Sequence, residues 1–194
     1  VLMADDWRLD EDWRFDEASL GSLHDWSHSG RLGNWLTVNG QSRPEIPIPQ
    51  TGLVRLRFVN AANARVLSFQ LSRRAPMQII ALDGAPCIPF NVDTLRLGPA
   101  QRADVIVQAG PDLGSLYEVT ADDNFEAARF VSKRASESVL GNISTSPWYP
   151  YPDTKDAKLI NIHMQGGAMG DLTSAVFEGE EMPIRRLAFE KQKF

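Results

Sequence analysis

Short runs in which apolar and polar residues alternate recur along most of the chain. The clearest spans residues 54–59, where Arg55 and Arg57 take the alternate, outward positions. Many of the runs end at turn signals such as Asn39-Gly40 and Asp83-Gly84. Further runs span residues 35–38, 66–71, 78–82, 94–97 and 103–107, and weaker ones span residues 116–120, 127–131 and 159–163. About ten short strands with turns every 8–12 residues or so predict a β-sandwich or barrel.

The alternation also assigns a core. Burying each large apolar side chain stabilises the fold by about 1.5–3 kcal/mol. The predicted core residues are Leu56, Phe58, Leu67, Phe69, Ile79, Leu95, Leu97, Val105 and Val107. The same period of two puts Arg102 and Asp104 on the other side of their strand. Arg65, just after the turn at residues 60–63, is the predicted partner of Asp104.

The C-terminal part of the sequence breaks this pattern. Residues 168–177, which follow Gly166 and Gly167, are predicted to form one short helix. Residues 136–158 are polar and proline-rich, which predicts a long surface loop. Residues 178–194 mix charge with little periodicity and are interpreted as a linker.

Composition narrows the function classes. A chain of 194 residues with 43% hydrophobic content is long enough for one domain with a core. Its net charge of −5 argues against a nucleic-acid partner, because phosphate binding needs a basic patch. No apolar run approaches the roughly 18 residues of a membrane helix. The opening "VLMADDWRLD" is strand-like, has no basic leader and no initiator methionine, and therefore favours a fragment without a signal peptide.

His24 and His28, in the stretch "HDWSHSGRLGN", are the most suggestive metal-ligand candidates. On a helix, their i, i+4 spacing would put both rings on one face, where zinc or copper could bridge them. Glycine and serine residues around the pair disfavour such a helix: Gly21, Ser22, Ser27, Ser29, Gly30 and Gly33. The preferred interpretation is a loop stiffened by hydrogen bonds from histidine and aspartate to the backbone.

A blue-copper site is not predicted either. Such a site needs two histidines, one cysteine and a weak axial methionine. Cys87 is the only cysteine, and no histidine follows it before His163. The sequence has no His-x-His pair. A single cysteine rules out an internal disulfide and leaves the redox compartment undecided. Cys87 is interpreted as a small packed apolar residue.

The sequence contains no complete set of residues for phosphate binding or for nucleophilic catalysis. The glycine-rich turn at residues 166–170 lacks the partners of a phosphate loop, and no G-x-S-x-G elbow occurs. The acidic clusters at residues 5–6, 10–12 and 122–123 are interpreted as solvated charge. No catalytic, cofactor-binding or metal-ligating residue is therefore predicted.

Seven ordered motifs together resemble a known family. They are "DDWRLD" (5–10), "HDWSHSGRLGN" (24–34), "LTVNG" (36–40), "RLRFVNAANAR" (55–65), "ALDG" (81–84), "LGPAQRADVIV" (97–107) and "MQGGAMG" (164–170). In this order they resemble the second, middle cupredoxin domain of bacterial three-domain multicopper oxidases of the laccase-like and copper-efflux group. The resemblance spans nearly the whole chain.

The resemblance implies an all-β Greek-key β-sandwich of cupredoxin type over residues 1–177, then a linker, residues 178–194, towards a third domain. In that family the blue copper lies in the third domain and the trinuclear cluster between the first and third, so this fragment would hold no copper. The flanking domains would be its partners. A parent in the periplasm or outside the cell would couple one-electron oxidation of phenols or metal ions to reduction of dioxygen to water.

Two further expectations accompany this interpretation. The alternative function is a free-standing cupredoxin-fold binding module, which flanking His-x-His and His-Cys-His motifs would exclude. A domain taken from its neighbours should also expose apolar surface. That patch is expected around Trp7, the turn at residues 166–170 and the chain after Ala175.

Overall fold

The described part of the chain is built almost entirely from β-strands. The structure is a computed structural model that describes residues 1–121, 123–133, 153–157, 162–166, 172–177 and 180–182. The elements, in chain order, are β1 (Leu2–Trp7), α1 (Leu23–Ser27), β2 (Trp35–Val38), β3 (Glu45–Pro49), β4 (Leu53–Asn60), β5 (Leu67–Leu71), β6 (Met77–Leu82), β7 (Ala85–Val92), β8 (Leu95–Leu97), β9 (Arg102–Gln108), β10 (Ser115–Val119), β11 (Asn124–Lys133), β12 (Ile162–Gly166), β13 (Leu172–Phe177) and β14 (Glu180–Met182).

Two main sheets form the sandwich. One has the strand order β2-β1-β4-β9-β6-β7, and the other has the order β3-β11-β10-β5-β8. The chain changes sheet repeatedly between β2 and β10, so each sheet is assembled from strands that are distant in sequence. Strands β12, β13 and β14 form a third, antiparallel sheet. The predicted all-β Greek-key sandwich is confirmed.

The core lies where the alternating runs of the two sheets face each other. Leu56 on β4 pairs with Val105 on β9, and both side chains are buried. Phe58 on β4 packs against Phe69 on β5 of the other sheet, with 5.3 Å between ring centroids. Every residue of the predicted core is buried. The period of two therefore identified the inward faces correctly.

Two strands that the pattern did not reveal contain prolines. β3 carries Pro47 and Pro49, and β7 carries Pro86 and Pro89. Each strand lies at the edge of its sheet, and among the described strands β3 pairs with β11 alone and β7 with β6 alone. Because proline has no N–H to donate, an edge position is the one a sheet tolerates. These strands were not predicted, because prolines interrupt the alternating pattern in both.

The predicted C-terminal helix is wrong. Residues 172–177 form strand β13, which pairs with β12 on one side and β14 on the other. Thr173, Val176 and Phe177 favour an extended backbone, and ladder pairing on both sides outweighs the weak helical pattern. The predicted loop at residues 136–158 lies outside the described residues apart from 153–157. Of the predicted linker, residues 180–182 form β14, and the division at residue 177 remains a prediction.

The outer face of β4 and β9 carries a charged cluster. Arg102 and Asp104 lie on the same side of β9, as expected, but the predicted pairing of Asp104 with Arg65 is wrong. Asp104 accepts hydrogen bonds from Arg55 Nη2 and, at 3.1 Å, from Arg57 Nε. The antiparallel register places Arg57 directly opposite Asp104. The side chain of Asp104 is only 11% exposed. Burial alone would raise the pKa of Asp104, but the two arginines outweigh it and lower that pKa.

We expect Asp104→Asn to lower the free energy of unfolding by about 1–3 kcal/mol at neutral pH, because it removes charge-assisted hydrogen bonds. A lowered carboxyl pKa stabilises the fold above the unfolded-state pKa, and this contribution is lost as the pH falls through the folded-state pKa. The difference between the two proteins should therefore shrink below about pH 4. Urea unfolding at several pH values measures it. Asp93→Asn, at an exposed position, is the control, and a difference independent of pH would contradict the assignment.

Candidate functional site

The sequence between β1 and β2 folds as one excursion, residues 8–34. β1 and β2 pair antiparallel up to Trp7 and Trp35, so the excursion leaves and rejoins the sheet at one point. Asn34 closes its base. Its side-chain Oδ1 accepts from Leu9 N at 2.8 Å, and its Nδ2 donates to Leu9 O at 2.9 Å. The amide side chain thereby continues the ladder by one further pair.

Ion pairs and ring contacts hold the excursion together. Arg8 lies 3.1 Å from Asp25 and 3.4 Å from Asp16. Phe15 meets Trp7 edge to face at 6.1 Å, and the Arg31 guanidinium lies over the Phe15 ring at 5.5 Å. The excursion is thus an ordered part of the fold.

Asp6, Gly33 and Arg65 form a clasp between the excursion and the sheet. Gly33 N donates to Asp6 Oδ2 at 2.6 Å, and Arg65 Nε donates to the same oxygen at 2.8 Å. Arg65 Nη2 also donates to Gly33 O at 2.5 Å. The Asp6 side chain is 2% exposed. A charge buried to this degree is tolerated only when it is paired, so the clasp fixes Gly33 and Arg65 against β1.

Close backbone approach explains the glycines of "HSGRLGN". A Cβ on Gly33 would lie 2.6 Å from the carbonyl carbon of Asp6 and 2.7 Å from Trp7 O. A Cβ on Gly30 would lie 2.6 Å from Ala64 Cβ, and Gly30 has a φ of +79°. Only glycine fits at either position without displacing its neighbours.

A cleft of about 230 Å³ opens beside the clasp. Its lining residues are Asp6, Gly33, Asn34, Trp35, Leu36, Arg65, Glu118 and Phe125. Glu118 on β10 is a buried acid. Burial raises the pKa of Glu118, and nearby Asp6 raises it further, against the opposing effects of Arg65 and a backbone hydrogen bond from Ser68.

Sequence analysis missed this acidic cleft. Asp6 was interpreted as solvated charge, and that is wrong, because the residue is 4% exposed. A signal was present, since Asp6 shares the inward parity of Leu2 and Ala4 on β1. Residues 10–12 are exposed, as expected.

His24 lies in the short helix α1 and His28 is its C-terminal cap, so the loop prediction is wrong for residues 23–27, whereas the predicted contact of a histidine ring with the backbone is present. The Ser22 hydroxyl accepts from Asp25 N at 3.3 Å and caps the N-terminus of α1. The rings of His24 and His28 stack with centroids 4.2 Å apart, and His28 Nδ1 lies 2.8 Å from His24 O. The helix has five residues, short of the two turns that a helical metal site would need.

The described side chains do not fit a copper site. Cys87 lies on β7, and the excursion with His24 and His28 joins β1 to β2 at the other end of the same sheet. From β1 to β7 there are four strand spacings, about 19 Å. Burial raises the pKa of the Cys87 thiol, which disfavours the thiolate that copper binds. Within the described residues, no three His, Cys, Asp or Glu side chains come together as a metal site.

The expected apolar patch can be assessed only in part. Trp7 is 43% exposed, while the side chains at residues 166–170 and after Ala175 lie outside the described ones. Further exposed apolar side chains belong to the excursion: Trp13, Leu20, Leu23 and Leu32. No helix in the described ranges is long and apolar enough to cross a membrane.

The fold is thus a β-sandwich whose β1–β2 excursion is clasped to the sheet. Residues 2–141 match the multicopper oxidase family. The chain belongs to this family.

Curated relatives match part of the chain. The chain is 39% identical over 114 residues to the cell division protein FtsP of Edwardsiella tarda, covering 58% of this chain and 24% of the relative. It is 32% identical over 98 residues to FtsP of Escherichia coli, covering 50% and 21%, respectively. The matched region thus spans about a quarter or less of these curated relatives.

Solved structures show the same fold. The laccase-like multicopper oxidase CueO of Ochrobactrum sp. superimposes with a TM-score of 0.66 at 30% identity, covering 79% of this chain and 35% of that one. The McoA multicopper oxidase of Aquifex aeolicus gives a TM-score of 0.69 at 22% identity, covering 92% and 40%.

Removing the arginine of the clasp should be costly. We expect Arg65→Ala to lower the free energy of unfolding by about 3 kcal/mol, because it leaves the buried Asp6 carboxylate without its cation. In an Asp6→Asn background the same change should cost about 1 kcal/mol or less. Denaturant unfolding of the four proteins measures the coupling. Arg96→Ala, at the exposed position of β8, is the control, and additive effects of the two changes would contradict the clasp.

Gly33→Ala should also destabilise the fold, by about 2 kcal/mol or more, because the new Cβ would meet backbone atoms of Asp6 and Trp7. Gly110→Ala is the matched control. A Cβ there meets nothing within 4 Å, so its effect should stay within about 0.5 kcal/mol. Thermal unfolding compares the two variants, and equal melting temperatures would refute the close approach at Gly33.

Proposed function

We propose that this chain is the copper-free middle domain of a three-domain multicopper oxidase, and that it positions the flanking first and third domains. On this proposal the parent couples one-electron oxidation of phenols or metal ions to the reduction of dioxygen to water. The parent would hold all of its copper in the other two domains and would work in the periplasm or outside the cell.

The observation that carries the proposal is the combination of family membership with an unsuitable ligand set. The chain belongs to the multicopper oxidase family, yet Cys87 lies on β7 at one edge of its sheet, while His24 and His28 lie in the excursion between β1 and β2 at the other edge. A thiolate–copper bond needs cysteine and histidine around a single ion. The ordered clasp and the tightly packed core are properties suited to a rigid spacer.

The FtsP relatives favour a second candidate. They are called cell division proteins, and the first of them is 39% identical to this chain over the matched region. The second candidate is therefore an interaction module with a cupredoxin fold, acting through contacts with other proteins and not through electron transfer. The two candidates differ in whether the full-length protein holds copper.

The purified chain tests the copper-free assignment. After incubation with cupric ion and dialysis against a mild chelator, we expect no stoichiometric copper, no blue thiolate absorption and no phenol oxidation. His24 and His28 can capture a stray ion only weakly, since two ligands do not complete a site. One tightly held copper per chain with a thiolate charge-transfer band would overturn the proposal.

A further inference from the structure

The cleft beside the clasp has an excess of negative charge. Its charged groups are Asp6, Glu118 and Arg65. With both acids ionised they sum to −1, and the described residues lining the cleft bring no other ionisable group. A monovalent cation placed here would neutralise the cluster.

One buried oxygen of the cleft is unsatisfied. Asp6 Oδ2 accepts from Gly33 N and Arg65 Nε, whereas Asp6 Oδ1 is buried and has no hydrogen-bond partner among the described residues. Buried carboxylate oxygens without a donor are rare, and each one needs an explanation, such as an ordered water or ion. Because this oxygen has almost no accessible surface in the unbound chain, Asp6 contributes its negative charge to the cleft, and Glu118 is the acid that a ligand reaches.

The remaining walls suit an organic cation better than a metal ion. Trp35, Leu36 and Phe125 line the cleft beside the acids. Aromatic faces attract guanidinium and ammonium groups, and Leu36 suits an aliphatic stem. The Arg43 guanidinium already lies over the Phe125 ring at 4.8 Å, so Trp35 is the principal aromatic wall for an incoming cation. The volume of about 230 Å³ exceeds the roughly 30 Å³ share of one water molecule several-fold.

The excursion extends the same surface. The Trp13 ring meets Trp35 edge to face at 5.2 Å, and Trp13 is 69% exposed. Asp10, Glu11 and Asp12 precede it in an acidic turn. These exposed carboxylates next to the cleft would attract a basic segment before it docks.

We propose that the cleft between Asp6, Glu118, Trp35 and Phe125 binds an arginine side chain presented by a basic segment of another polypeptide. The planar guanidinium would donate to Glu118, close to the negative charge of Asp6, while its stem lies on Leu36, and the acidic turn with Trp13 would contact the rest of the segment. The site is independent of copper, so it belongs to this domain under either candidate function.

The test uses the purified chain and three short capped peptides, which are Gly-Arg-Gly, its isosteric neutral counterpart with citrulline, and Gly-Lys-Gly. Titration is followed by NMR through the indole N–H of Trp35 and the amides of residues 6 and 118. We expect saturable shifts with a Kd of about 1 mM for the arginine peptide. Citrulline should bind at least tenfold more weakly, because it has the shape without the charge.

Variants locate the site. Glu118→Gln should weaken binding of the arginine peptide about tenfold, while Glu45→Gln, the same charge change at an exposed position outside the cleft, should leave it unchanged. Unaltered amide shifts away from the cleft confirm that Glu118→Gln is folded. The proposal is overturned by equal binding of the arginine and citrulline peptides, by no saturable shift up to about 10 mM, by wild-type affinity in Glu118→Gln, or by equal affinity for the lysine peptide.

Discussion

A buried carboxylate at an inward position of the first strand determines how the rest of this domain is assembled. Asp6 shares the core-facing parity of Leu2 and Ala4, and a charge there would be costly without partners. Its partners come from two other places in the sequence, Gly33 and Arg65. Satisfying Asp6 therefore draws the 8–34 excursion and the turn before β5 onto the same edge of the sheet.

This constraint also accounts for the cleft. The clasp holds Gly33 against the backbone of β1, which brings Trp35 and Leu36 at the start of β2 beside Arg65. β10 of the second sheet contributes Glu118 to the same cleft. Asp6 therefore has both a structural and a binding role. One of its oxygens holds the clasp, while the other lacks a donor within the described residues.

Sequence alone predicted the sandwich and its core because period-two alternation reports directly which side chains face inwards. It failed where a side chain's partner depended on register: Asp104 pairs with Arg57 because β4 and β9 align those positions, and nothing local fixes that alignment. It missed β3 and β7 because proline can occupy an edge strand, and edge positions are known only from the assembled sheet. The short helix α1 escaped because a single serine cap outweighed poor helix propensity.

The acidic cleft was unpredictable for the same reason as the ion pairs, since residues 6, 65 and 118 meet only through the tertiary fold. The expectation that this domain holds no copper rested on composition and spacing, which are visible in the sequence. It stays a prediction, which the placement of Cys87 on β7 and of the histidines in the β1–β2 excursion supports. Family membership and the chemistry of this particular domain are therefore separate questions.

The most direct test of the copper-free middle domain is copper analysis of the full-length protein with and without Cys87→Ser. The account predicts that the unsubstituted protein holds copper with a blue thiolate band and that Cys87→Ser retains both the copper content and the band. Loss of the band or of one copper on replacing Cys87 would place a ligand in this domain and contradict the account. A copper-free full-length protein would contradict the proposal that the parent is a multicopper oxidase and would favour the interaction module.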